Sequence, residues 1–167
     1  LTDAEAGRRA YAQAHIPGAH YLHMDEACGA KTGADGVFRG RHPLPEREDF
    51  AALLRGLGLR AGRTVVCYDA ANSMFAARGW WMLRWLGHAE VAVLDGGLAA
   101  WQAAGGALSA ETPVASQGDF VVGESLVGSI EADALAAQLG RVGLVDARAP
   151  ERFRGEVEPL DRQAGHI

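Results

Sequence analysis

Residues that could do chemistry gather at two points. At the first, Val65-Val66-Cys67-Tyr68-Asp69-Ala70-Ala71-Asn72-Ser73 leads from an apolar run into a turn of small residues and on to a helix start. Such a turn concentrates N–H groups and the positive end of a helix dipole, so it suits a thiolate or a bound anion. Here an aspartate heads the turn, and the cysteine lies two residues back in the apolar run. Cys67, desolvated between strand and helices, should stay protonated and act as inert filler. Asp69 should give the loop a permanent anion of its own. At the second point, Val145-Asp146-Ala147-Arg148 and Glu151-Arg152-Phe153 follow a strand-like segment. A guanidinium can hold two oxygens of a sulfonate-like anion in one fork. The plain alternative is a solvated charge cluster with Glu151, Arg154, Glu156 and Glu158.

Other candidates read as structural. Cys28, in the glycine-rich stretch 25–41, reads as an ordinary surface thiol with no adjoining positive cluster. Six histidines, His15, His20, His23, His42, His88 and His166, lack the cysteine or carboxylate spacing of a zinc site, so no metal is expected. His15 and His166 should hydrogen-bond backbone at turns. Asp95-Gly96-Gly97 lacks the lysine and spacing of a nucleotide loop and reads as a tight turn. Trp80, Trp81, Trp85 and Trp101 are expected in the core or at a domain interface. Arg78 is expected to pair with Asp69 or with an acidic group across a domain junction.

The elements that hold these residues alternate. Phe50, Leu53, Leu54 and Leu57 mark one face of a helix over 46–57. Residues 64–68 read as a parallel strand buried on both faces, 73–86 as a helix apolar nearly all round, 90–94 as a second strand and 98–104 as a short helix. Residues 107–128, rich in Ser, Thr and Gly, read as a linker. After it come an expected helix over 129–139 and a strand over 142–145. The 167 residues, 49% hydrophobic, suffice for a substantial core. A net charge of -5 disfavours nucleic acid, and no apolar run is long enough for a membrane span. Two cysteines imply no disulfide framework and a reducing, cytoplasmic setting.

Gln13-Ala14-His15-Ile16 is echoed by Gln163-Ala164-Gly165-His166-Ile167, a domain length further on. The echo suggests a duplicated domain, with most of one copy and the opening of a second. Both ends read as cut, so a targeting signal would lie outside the sequence.

Taken in order, Ala14-His15-Ile16-Pro17-Gly18-Ala19, Val65 to Asp69, Ala77-Arg78-Gly79-Trp80-Trp81, Leu86-Gly87-His88, Val93-Leu94-Asp95-Gly96-Gly97 with Trp101, and Val145 to Arg148 with Glu151-Arg152-Phe153 resemble the tandem-domain sulfurtransferases of the rhodanese family. The resemblance implies an α/β fold, rhodanese-like, with a mostly parallel central sheet flanked by helices on both faces, duplicated, the second copy truncated. It implies a silent first domain at 1–106 lacking its opening strand, a linker at 107–128 and the start of a catalytic domain at 129–167, with the first domain packing against the second. It places Asp69 where the active copy carries its nucleophilic cysteine, leaving no catalytic residue in this chain. It places Arg152, and secondarily Arg148, at a donor-binding site. The implied activity of the whole protein is transfer of sulfane sulfur from thiosulfate to cyanide or a thiol through a cysteine persulfide, without metal or organic cofactor. The chain alone should be inactive. The alternatives are 3-mercaptopyruvate as donor, used by relatives with an arginine where this chain has Leu160, and a non-catalytic interaction or regulatory module.

Overall fold

The structure, a computed structural model, describes residues 3–160 and 163–166. These divide after Gly128 into two compact units. The first contains α1 (Ala6–Gln13), α2 (Arg47–Gly56), β1 (Val65–Cys67), α3 (Met74–Trp85), β2 (Val91–Val93) and α4 (Gly97–Ala103). β1 and β2 pair in parallel, Val65 opposite Val91 and Cys67 opposite Val93. A parallel pair needs a crossover, and α3 provides it. Acidic Glu48 and Asp49 sit in the first turn of α2 and Arg55 in its last, each favourable to the helix dipole.

The core forms where the apolar face of α2 meets α3. Phe50, Ala51, Leu54, Met82, Leu83 and Leu86 are buried there, and Val65, Cys67 and Val91 pack against them. Side chains alternate along a strand, so Val66 turns the other way and is 52% exposed. The strand expected to be buried on both faces is therefore half-buried in this unit. Trp81 and Trp85 stack at 6.2 Å and pack against the same core.

Residues 107–128, expected as a linker, run as a strap over this unit. Ser109 exchanges both backbone hydrogen bonds with His15 at 2.8 Å. Further along, Gly118 N–H donates to the Arg55 carbonyl, and Gly123 N–H to that of Leu86. A side chain at Gly118 would come within 1.9 Å of the Leu59 carbonyl, so only glycine fits. Phe120 is 5% exposed and meets the His88 ring edge-on. The strap is held largely through polar contacts, its backbone bonds and those of Arg47, Arg55 and Asp119, with Phe120 as its buried anchor, which leaves little hydrophobic period to read.

The second unit contains α5 (Ala132–Ala136) and α6 (Pro150–Phe153). α6 starts with proline, whose missing N–H costs nothing in a first turn. The helix expected over 129–139 is shorter. The strand expected over 142–145 is not formed among the described residues, and Val145 is 95% exposed. A parallel strand needs a neighbour to satisfy its N–H and C=O groups, and none pairs with it among the described residues of this unit.

One arrangement occurs in both units. The His15 ring stacks on Tyr11 at 3.9 Å with Nδ1 2.8 Å from the Tyr11 carbonyl oxygen. The His166 ring stacks on Phe153 at 3.9 Å with Nδ1 2.7 Å from the Phe153 carbonyl oxygen. Ile167, which completes the sequence echo, lies outside the described residues.

Candidate functional site

Asp69 stands two residues beyond β1, and the chain turns there into α3. Its Oδ1 accepts from the N–H groups of Ala71 at 2.8 Å and Ser73 at 2.9 Å. Its Oδ2 accepts from Phe75 and Ala76, both at 2.8 Å. One carboxylate thus engages four backbone donors, including those of the opening turn of a helix. The wrapping puts Asn72 and Ser73 in the left-handed region, at φ 54° and 65°. Partial burial works to raise the Asp69 pKa, and the four N–H donors outweigh it, so the carboxyl is held below its ordinary value. The loop is an anion cradle whose anion is part of the chain.

The turn after β2 supports this cradle from below. Leu98 N–H donates to the Asp69 carbonyl at 3.0 Å. Gly97, at φ +56°, approaches so closely that a side chain would meet that carbonyl oxygen at 2.5 Å. The Asp95-Gly96-Gly97 turn therefore serves backbone contact between the ends of two strands.

Neither thiol is poised as a nucleophile. Burial beside the core pushes Cys67 up to about 11. Cys28 lies 3.6 Å from the Arg78 guanidinium, a neighbour that the sequence analysis did not anticipate. Burial nevertheless outweighs that charge and raises the Cys28 thiol. Arg78 does not pair with Asp69. It donates to the carbonyls of His42 at 2.9 Å and Pro43 at 3.5 Å, pinning the 28–43 loop to α3.

In the second unit Arg148 and Arg152 are brought together around Glu158. Arg152 donates through Nε at 3.2 Å to Glu158 Oε2, and through Nη2 at 2.9 Å to both carboxylate oxygens. Arg148 Nη1 lies 3.8 Å from the same carboxylate. Arg148 also donates to Asp146 through Nε and Nη2, at 2.9 and 2.6 Å, and to the Gly165 carbonyl at 2.7 Å. Its hydrogen bonds hold Asp146 down at about 2. The alternative weighed from the sequence put Glu158 in a solvated charge cluster; its side chain is 5% exposed. It lies six positions past Arg152, beyond the end of α6, a spacing with no helical or strand signature.

The stacked rings give a way to superpose the two copies locally. Phe153 in the second unit matches Tyr11 in the first, and the residue before each is Arg152 in one and Ala10 in the other. At this one position the second unit has a guanidinium and the first a methyl group.

Residues 1–104 match the rhodanese-like domain. The chain belongs to the rhodanese family. Its α/β fold with parallel strands is the rhodanese fold. The crystal structure of the 3-mercaptopyruvate sulfurtransferase SseA from Escherichia coli superposes with a TM-score of 0.81 at 30% identity, covering 96% of this chain and 59% of that one. A probable 3-mercaptopyruvate sulfurtransferase of Pseudomonas aeruginosa is 48% identical over all of this chain and 59% of its own length. A putative thiosulfate sulfurtransferase, SseB, of Mycobacterium tuberculosis is 42% identical over 99% of this chain and 58% of its own. The chain thus spans somewhat more than half the length of these rhodanese relatives.

Among the described residues no helix is long and apolar enough to cross a membrane.

Proposed function

We propose that the complete protein is a sulfurtransferase, and that this chain supplies its silent first rhodanese domain and the donor-binding opening of its second. The asymmetry between the two copies carries this reading. The first copy fills its own anion cradle with Asp69 and has Ala10 at the donor position; the second has Arg152 there. A thiosulfate dianion approaching the first cradle would meet a fixed carboxylate and find no thiolate to attack it.

In the second copy, Arg152 orients the two-oxygen end of the donor, with Arg148 adding charge beside it. A cysteine located past Ile167, about as far as Asp69 lies past Ile16, attacks the outer sulfur of thiosulfate as a thiolate. The S–S bond breaks, its electron pair leaves with sulfite, and a cysteine persulfide remains. Cyanide or an acceptor thiolate then attacks the terminal sulfur and the cysteine thiolate is restored. The electrons balance between donor and acceptor, so the cycle needs no external oxidant or metal.

Thiosulfate is the proposed donor because Leu160 stands where the relatives that use 3-mercaptopyruvate tend to carry a second arginine. The rival donor draws support from the name borne by the 48% identical relative. Steady-state turnover of the complete protein with each donor decides between them: the expected result is the higher kcat/KM with thiosulfate, and the reverse order assigns 3-mercaptopyruvate. Absence of turnover with both would overturn the enzyme reading in favour of an interaction module.

A further inference from the structure

The carboxylate of Glu158 occupies the fork of the residue proposed to receive the donor. Such a contact can do one of two things. It can plug the fork until a donor displaces it, or it can hold the guanidinium in position from behind.

We propose that Glu158 is a positioning residue, fixing Arg152 and Arg148 in a common orientation toward the donor; this rests on the donor-binding reading of Arg152. Three observations separate a brace from a plug. The Glu158 side chain is 5% exposed, whereas a displaceable group would have an outlet to solvent. Its Oε1 also accepts the Leu160 N–H at 2.9 Å, so the loop backbone clamps the carboxylate independently of either arginine. Arg148 approaches the same carboxylate at 3.8 Å while tied to Asp146 and to the Gly165 carbonyl. One buried anion therefore links α6, the 146–148 turn and the 165–166 turn. Two guanidinium groups near each other repel; Glu158 and Asp146 offset that repulsion and keep both charges at one end of the unit. A fork held along one edge has less rotamer freedom to lose when an anion arrives, which lowers the cost of donor binding.

The test is steady-state kinetics on the complete protein with Glu158→Gln, Glu158→Asp and Arg152→Gln. Glu158→Gln keeps shape and removes the charge; the donor KM is expected to rise about tenfold with a smaller change in kcat. Glu158→Asp keeps the charge on a shorter stem and is expected to raise the donor KM less than Glu158→Gln does, with kcat near that of the unmodified protein. A fall in donor KM in either variant would identify Glu158 as a plug and overturn the proposal, as would a KM equal to the unmodified protein in both. If Glu158→Gln does not fold, Glu158→Asp alone decides: an unmoved KM overturns the brace, a raised one supports it. Arg152→Gln separates the two layers. If it leaves the donor KM unmoved, the donor-binding reading fails and the brace with it; if it raises KM while both Glu158 variants do not, only the brace fails.

Discussion

Asp69→Ala is expected to destabilise the first unit by about 2 kcal/mol, seen as a lower denaturant midpoint with an unchanged slope. The size follows from what the carboxylate does. Four N–H donors lose their acceptor at once, and the left-handed turn at Asn72 and Ser73 loses the group around which it is wrapped. Water can reach part of the loop and satisfy some of those donors, which keeps the loss to that of a strong helix cap. The same carboxylate gives the unit an acid-sensitive component. Because the folded-state pKa of Asp69 lies below its ordinary value of 3.8, its contribution is complete above that value and is lost as pH falls through the lowered folded value. Asp69→Asn should therefore be less stable than the unmodified chain at neutral pH, and the gap should narrow as pH falls below 3.8 and through the lowered folded value. Equal stability of the two at pH 7 would show that the cradle does not depend on its anion.

Arg152→Gln in the complete protein is expected to lower kcat/KM for the sulfur donor by about a hundredfold. Glutamine can offer one amide donor pair but neither the charge nor the fork, and Arg152→Lys, which keeps charge alone, is expected to recover only part of the loss. The contrasting substitution lies in the first copy. Ala10→Arg would place a guanidinium at the matching position beside Tyr11 and is expected to confer no turnover, because Asp69 still fills that cradle. Activity of Arg152→Gln indistinguishable from the unmodified protein would remove the donor-binding role.

The elements around the cradle were legible because each carries its own local signal. The apolar run at 64–68 became β1 at Val65–Cys67, and the helix expected over 73–86 became α3 at Met74–Trp85. Turn glycines at 96 and 97 marked the end of β2 in the same way. What stayed hidden depends on contacts distant in sequence. Arg78 lies two residues past Ala76, the cradle's last donor, and its place just after the loop suggested Asp69 as its partner, yet the loop carbonyls of His42 and Pro43 take it. The strap over 107–128 is held largely by polar contacts, which composition does not register. Glu158 sits among four other charged residues within eight positions, so its burial has no signature; only the fold of the 154–160 loop encloses it. The strand over 142–145 shows the opposite failure: its apolar run is a good strand sequence, but strand formation waits on a partner.

The claim on which the rest depends is that the first copy holds no transferable sulfur. Its most direct test is to incubate residues 1–167 with thiosulfate, record the intact mass, and then assay thiocyanate after adding cyanide. The expected result is no gain of a sulfur atom at Cys28 or Cys67 and no thiocyanate above the uncatalysed rate, matched by turnover in the complete protein. A stable sulfur adduct on either cysteine that is discharged by cyanide would contradict it.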